Sequence, residues 1–294
     1  MKRRLQVLAF VVLAALAAGA ADAQTQRRPQ RRPVRVMSIS DCGDQLVLAL
    51  LPPSQITSVT WLSRDPTLSV MARAAAGMPV NHGQAEEVLR DHPDLVVAGT
   101  YTTPATRALL KTLRVPMLEL EPTNSFDDIR GQTRAVAAAV GARGRGEALI
   151  ASMDAVLRQL AADPGPPLRV AAWDGAGFAA APGSMHDALL RAAGAHNVAA
   201  ERGGPAGAGV ERLLATRPDL LVEDEPGAEP PGLRSAVLGS PIVRRLWGGR
   251  TVVLPARDYV CGTPFSAAGA LRLRDQMRVK AAGLGPLPPF RAAP

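Results

Sequence analysis

Three features of the sequence indicate an α/β protein built as two halves that flank one long helix. Short apolar runs alternate with helical patterns on both sides of the chain's middle. That middle, Ser125 to Ala162, offers no strand candidate. A segment also recurs: Glu86-Glu-Val-Leu-Arg-Asp-His-Pro-Asp-Leu-Val-Val97 is echoed by Glu211-Arg-Leu-Leu-Ala-Thr-Arg-Pro-Asp-Leu-Leu-Val222, with both the Glu and the Pro displaced by 125 positions. Each copy reads as a short amphipathic helix, a Pro-Asp break and a buried strand.

In chain order, Val34 to Ile39 reads as a strand and Gly43 to Leu50 as a helix. Ile56–Thr60, Leu95–Ala98 and Met117–Leu120 are further strands. Thr103-Pro104 opens a helix running to about Leu113, with Thr as cap and Pro at the first helical position. Leu149, Ile150, Met153, Val156, Leu157 and Leu160 then form a single apolar stripe, halted by Asp163-Pro-Gly-Pro-Pro167. Strands resume at Arg169–Trp173, Leu220–Glu223 and Thr251–Leu254, and a last helix spans Phe265 to Ala281. Strands alternating with helices imply mainly parallel sheets covered on both faces.

The ends place the chain. Met1-Lys-Arg-Arg4, the uncharged apolar run Leu5–Ala18 and the small-x-small site Ala21-Asp-Ala23 form an export signal, and the run is too short to span a bilayer. The expected organisation is a signal peptide (1–23), a disordered basic tail (24–33), an N-terminal lobe (34–141), the linking helix (142–165), a C-terminal lobe (166–283) and a tail (284–294). Removing residues 1–23 lowers the net charge from +8 to +6, and Arg27, Arg28, Arg31 and Arg32 account for four of those. The folded body is then close to neutral, which argues against nucleic acid as a partner despite the high isoelectric point.

The sequence resembles the periplasmic binding proteins of the vitamin B12 and ferric-siderophore import family, whose helical backbone joins two lobes. The likeness covers about Val34 to Ala281. It rests on Arg35-Val-Met-Ser-Ile-Ser40, the paired Glu-to-Pro-Asp-Leu elements, the lone inter-lobe helix, and Leu189-Leu-Arg-Ala-Ala-Gly194 followed by Asn197. The resemblance implies two Rossmann-like lobes with a ligand cleft between them and a periplasmic location. It implies the binding component of an ABC importer that passes a metal chelate, a ferric siderophore or cobalamin, to a dimeric inner-membrane permease. It also implies a monomer with no resident cofactor. Glu86 and Glu211 occupy the positions at which such proteins dock on permease arginines, and acidic residues at helix N-termini are equally favoured by the helix dipole. A haem-binding or metal-chaperone protein on the same scaffold is the alternative, ahead of an exported two-lobed enzyme.

Parallel sheets bind ligands beyond the carboxyl ends of their strands. Four of the five Trp and Tyr residues, Trp61, Tyr101, Trp173 and Tyr259, follow strands and are candidate ligand contacts, with Arg64 and Arg257 as candidate anion partners. Trp247 lies apart from them, before a strand. Ser40-Asp-Cys-Gly-Asp44 sits where the family's first loop enters the cleft. Cys42 and Cys261, the only cysteines, fall one per half, and a disulfide between them and two buried thiols are both open readings. His82, His92, His186 and His196 show no repeated ligand spacing, so no site for a bare metal ion is expected. The chain has no Gly-x-Ser-x-Gly elbow, phosphate loop or Cys-x-x-Cys, and catalysis is not expected.

Overall fold

The computed structural model describes residues 35–172, 180–201, 210–225 and 240–287, without the side chain of Glu211. The leader and basic tail, Trp173, the Gly203–Gly209 run and the last residues of the C-terminal tail therefore lie outside the described residues.

The first sheet is formed by β1 (Val36–Ser38), β2 (Ile56–Thr60), β3 (Val80–Asn81), β4 (Leu95–Gly99) and β5 (Met117–Leu120), in the order β3-β2-β1-β4-β5. The second is formed by β6 (Arg169–Ala172), β7 (His196–Asn197), β8 (Leu220–Glu223) and β9 (Thr251–Val253), in the order β7-β6-β8-β9. All pairings are parallel. Helix α1 (Asp41–Leu50), α2 (Ala72–Ala75), α3 (Ala85–Asp91) and α4 (Pro104–Thr112) accompany the first sheet. Helices α7 (Met185–Ala192), α8 (Val210–Thr216), α9 (Pro241–Trp247), α10 (Ala256–Tyr259) and α11 (Ser266–Ala281) accompany the second. The structure departs from the expected elements at the first helix and at the sheet edges, and it adds a helix beside the linking one. The first helix begins at Asp41, two residues before Gly43, so Cys42 is helical. The edge strands β3 and β7 also went unforeseen, because two residues carry no periodicity.

The repeated segment is duplicated at the level of single hydrogen bonds. Before each Pro the chain turns through a left-handed residue, His92 at φ 45° and Arg217 at φ 47°. The Asp after each Pro then reaches the start of the neighbouring strand: Asp94 accepts from the Arg35 N–H at 3.0 Å and Asp219 from the Arg169 N–H at 2.9 Å. The Asp therefore pins the break to the first strand of its sheet and fixes the register of β1 with β4 and of β6 with β8.

Between the sheets runs an antiparallel helix pair, α5 (Phe126–Ala139) and α6 (Arg143–Ala162). Along α6, Leu149 packs on the first lobe's core, while Met153, Val156, Leu157 and Leu160 pack in the second. The stripe foreseen on this helix is thus shared between two cores, which is what makes α6 the link. Helix α5 runs beside it and also serves both, with Phe126 and Ile129 in the second core and Val136 and Ala137 in the first. Arg130 bridges to Asp154 and Arg134 to Glu147, and the pair approach closely at Gly146, where an added Cβ would stand 2.5 Å from that of Ala137.

Candidate ligand cleft

The carboxyl ends of β1, β4 and β5 face the second lobe, and the chain leaving them forms one wall of a cavity of about 230 Å³. Ser40 and Cys42 come from the β1–α1 junction, Gly99, Thr100 and Tyr101 from the end of β4, and Leu120 to Asn124 from the end of β5. The second lobe supplies Ser184, Met185 and His186 from the start of α7, and Tyr259 and Val260 from the end of α10.

Helix α1 starts so near the cleft because Gly43 lets it press on the sheet. A Cβ there would come within 2.8 Å of both the Ser38 hydroxyl and a Val97 methyl. Asp44, fully buried in the same turn, accepts from the Thr60 N–H at 3.0 Å and the Thr60 hydroxyl at 2.5 Å. Burial still pushes its carboxyl well above the usual range. Asp41 is pushed up to about 6, by burial first and then by Asp65, and its Oδ1 is buried with no hydrogen-bond partner.

Cys42 and Cys261 are joined by a disulfide across the cleft. Asp41 Oδ2 lies 3.5 Å from Cys261 Sγ. Asp41, Cys42 and Cys261 are the one cluster among the described residues with ligand atoms close enough to hold a metal ion, and bonding the two sulfurs to each other removes the thiolates it would need.

His186 was not singled out in sequence. It is only 6% exposed, lines the cavity, and stacks on Tyr259 at a centroid distance of 4.0 Å and an interplanar angle of 18°. Both ring nitrogens are buried without a hydrogen-bond partner. Burial, only partly opposed by Asp187, lowers its pKa to about 4, so the imidazole is neutral at physiological pH. Ser184 sets its position by capping α7, its hydroxyl accepting from the Asp187 N–H at 3.2 Å. The one sequence signal was the Ser184-Met-His-Asp187 run that opens α7, and nothing in it shows which way the ring turns.

The remaining expected contacts divide. Tyr101, 91% exposed, and Tyr259 line the cavity from opposite lobes. Trp61, 53% exposed, stands in the turn after β2 and does not line it. Arg64 donates to the Met78 carbonyl at 2.6 Å within its own lobe. Arg257 is paired with Glu225 at 2.5 Å and also donates to the Pro66 carbonyl of the other lobe at 3.1 Å. Glu86 is exposed in the first turn of α3, and Glu211 lies in α8. Trp247 is core, its indole N–H donating to the Pro218 carbonyl at 2.8 Å.

Two parallel-sheet lobes, a linking long helix and a cavity at the strands' carboxyl ends define a two-lobed α/β binding protein. The family model described as periplasmic binding protein matches residues 36–246, and the chain belongs to that family. Among solved structures it is similar to the periplasmic heme-binding protein RhuT from Roseiflexus sp. RS-1 in apo form. That pair shares 23% identity over 84% of this chain and 98% of the other, with a TM-score of 0.70. The periplasmic vitamin B12 binding protein BtuF of Vibrio cholerae gives 17% identity, 85% and 98% coverage and a TM-score of 0.63. The ABC-type Fe3+-hydroxamate transport system from Saccharomonospora viridis DSM 43017 gives 19%, 83% and 92%, and 0.61. No curated protein matches. At these identities the likeness to solved structures establishes the fold.

Proposed function

We propose that this protein is the periplasmic ligand-binding component of an ABC importer, and that its ligand is a metal chelate with an open axial position, an iron porphyrin above all. It acts by capture and delivery, without turnover, as a monomer that needs no cofactor of its own. Membership of the periplasmic binding protein family supports the class. Structures similar in fold include heme-, vitamin B12- and Fe3+-hydroxamate-related proteins.

His186 is the observation that carries the choice of chelate. A buried polar atom left without a partner costs about 1–3 kcal/mol, so two unpartnered nitrogens in a cavity wall call for a ligand group. A neutral imidazole is a ready donor to iron, and the Tyr259 ring fixes its plane. A siderophore that already fills the coordination sphere of its iron leaves no place for that donor. Haem therefore moves ahead of the siderophore within the chelate class. Tyr101, across the cavity, offers a phenol oxygen as a second donor or an aromatic face.

Titration of the purified protein with hemin, cyanocobalamin and ferric siderophores, followed by absorption spectroscopy, tests this. Hemin is expected to bind saturably with a shifted Soret band, and His186→Ala to weaken it about 10-fold or more and alter the band. Unchanged hemin binding by His186→Ala, or saturable binding of a siderophore alone, would overturn the assignment.

A further inference from the structure

We infer that the Cys42–Cys261 disulfide is a thiol-controlled latch that holds the two lobes closed over the ligand cleft. The inference rests on the cleft reading above and concerns how a ligand enters and leaves.

Its position is the first ground. Cys42 is the second residue of α1 in the first lobe, and Cys261 follows α10 in the second, 219 positions away. Cys42 is itself part of the cavity wall, as are Tyr259 and Val260 beside Cys261. The chain's only two cysteines therefore join the lobes at the cleft, and neither stiffens the inside of a lobe.

The second ground is that the other polar contacts described between the lobes at this seam are weak ones. Arg257 donates to the Pro66 carbonyl at 3.1 Å, and the Thr123 hydroxyl donates to the Gly262 carbonyl at 3.3 Å. Each such bond contributes about 1 kcal/mol. Gly262 allows the lobes to meet this closely, since a Cβ at that position would fall 2.1 Å from Thr123 Oγ1. A disulfide keeps its two Cα atoms within about 7 Å of each other, so with the bridge intact this seam cannot part. The cavity of about 230 Å³ lies below the roughly 300–1,000 Å³ typical of small-molecule sites. A porphyrin-sized ligand calls for a wider cleft, and once the bridge is open this seam is held by weak contacts such as these two hydrogen bonds and the approach of Asp41 to Cys261 Sγ at 3.5 Å.

The sulfurs differ in access in the way such a latch needs. Cys42 is half-buried on the cavity wall, whereas Cys261 is fully buried. A dithiol reductant would therefore attack Cys42 Sγ through its thiolate. The S–S bond breaks and Cys261 leaves as a thiolate. The donor's second thiol then resolves the mixed disulfide, leaving two thiols here and a disulfide on the donor, with two electrons and two protons transferred.

Two measurements test the latch on the whole protein, one of them independent of ligand. Hydrogen exchange is compared between the bridged form, the phosphine-reduced form and Cys42→Ser/Cys261→Ser, at residues 121–124 and 260–263. Release of gallium(III) protoporphyrin, a redox-inert probe, is followed by fluorescence in the same three forms. Faster exchange confined to those segments is expected without the bridge, with probe release about 10-fold faster. Equal seam exchange and equal release rates in bridged and reduced protein would overturn the latch and leave the bridge a staple against unfolding. Seam exchange that rises on reduction in a protein binding no porphyrin would keep the latch and reject the ligand assignment. Reduced wild-type protein serves alone should the double variant fail to fold.

Discussion

At the residue scale the most informative group is His186, because its protonation separates folding from binding. Its folded pKa of about 4 stands against 6.5 for the exposed ring, so the unfolded chain takes up a proton between those values that the folded chain refuses. The stability tied to this neutral ring is complete above pH 6.5 and is lost as pH falls toward 4, a change of about 3 kcal/mol. Asp41 works in the opposite sense. Burial raises its carboxyl to about 6, so its contribution is complete below 3.8 and is lost as pH rises through 6. The two trends oppose each other in wild-type protein. Urea unfolding of the ligand-free chain is therefore best read as a difference. His186→Phe should gain on wild type by about 3 kcal/mol between pH 7 and pH 4. A constant difference across that range would mean that His186 is charged or solvated in the folded state. None of this was legible in the sequence, where His186 was one of four scattered histidines.

At the element scale the duplicated Pro-Asp break shows how a short motif sets a sheet. The left-handed residue ends the helix, Pro blocks its continuation, and the Asp carboxylate holds the N–H that starts the neighbouring strand. Asp219 is half-buried and Asp94 exposed, so the second-lobe copy should matter more. Asp219→Ala is expected to cost about 1–2 kcal/mol by thermal or urea unfolding, and Asp94→Ala less. Most element boundaries in this region were readable, and Ile56–Thr60, Met117–Leu120 and Leu220–Glu223 coincide with the strands foreseen. Those strands announce themselves through buried branched residues between polar breaks. The α5–α6 pair was only half readable. A stripe on α6 shows that a helix is buried, but periodicity does not reveal that two different cores bury it, nor that α5 lies alongside.

Taken over the whole molecule, the proposed function assigns separate duties to two surfaces. In the proposed function the cleft selects the ligand, and the helices α3 and α8, which carry Glu86 and Glu211, meet the permease. Two acidic residues at equivalent places on duplicated lobes suit a two-fold symmetric partner with basic pockets. Glu86→Ala together with Glu211→Ala should reduce transport in proteoliposomes by about 10-fold while leaving hemin affinity unchanged. Loss of hemin binding in that variant would show that the glutamates serve the cleft instead. Arg257 belongs to this scale as well. Sequence placed it as an anion partner, whereas the fold engages it with Glu225 and with the Pro66 carbonyl at the seam between lobes.

The two-lobed α/β plan follows from hydrophobic periodicity and a repeated helix–break–strand motif, local properties of the chain that need no neighbours. The sequence also supplied the candidate outer glutamates and the pair of cysteines. It took the folded chain to show that Cys42 and Cys261 meet across the cleft, that Tyr101 and Tyr259 share a cavity while Trp61 and Arg64 stand outside it, and that His186 lines that cavity with both ring nitrogens buried and unpartnered. One cause underlies all of these. Which way a side chain turns, and what it meets, depends on how two separately folded sheets are brought together by a helix pair, and on glycines such as Gly43 and Gly262 that set the distance of approach.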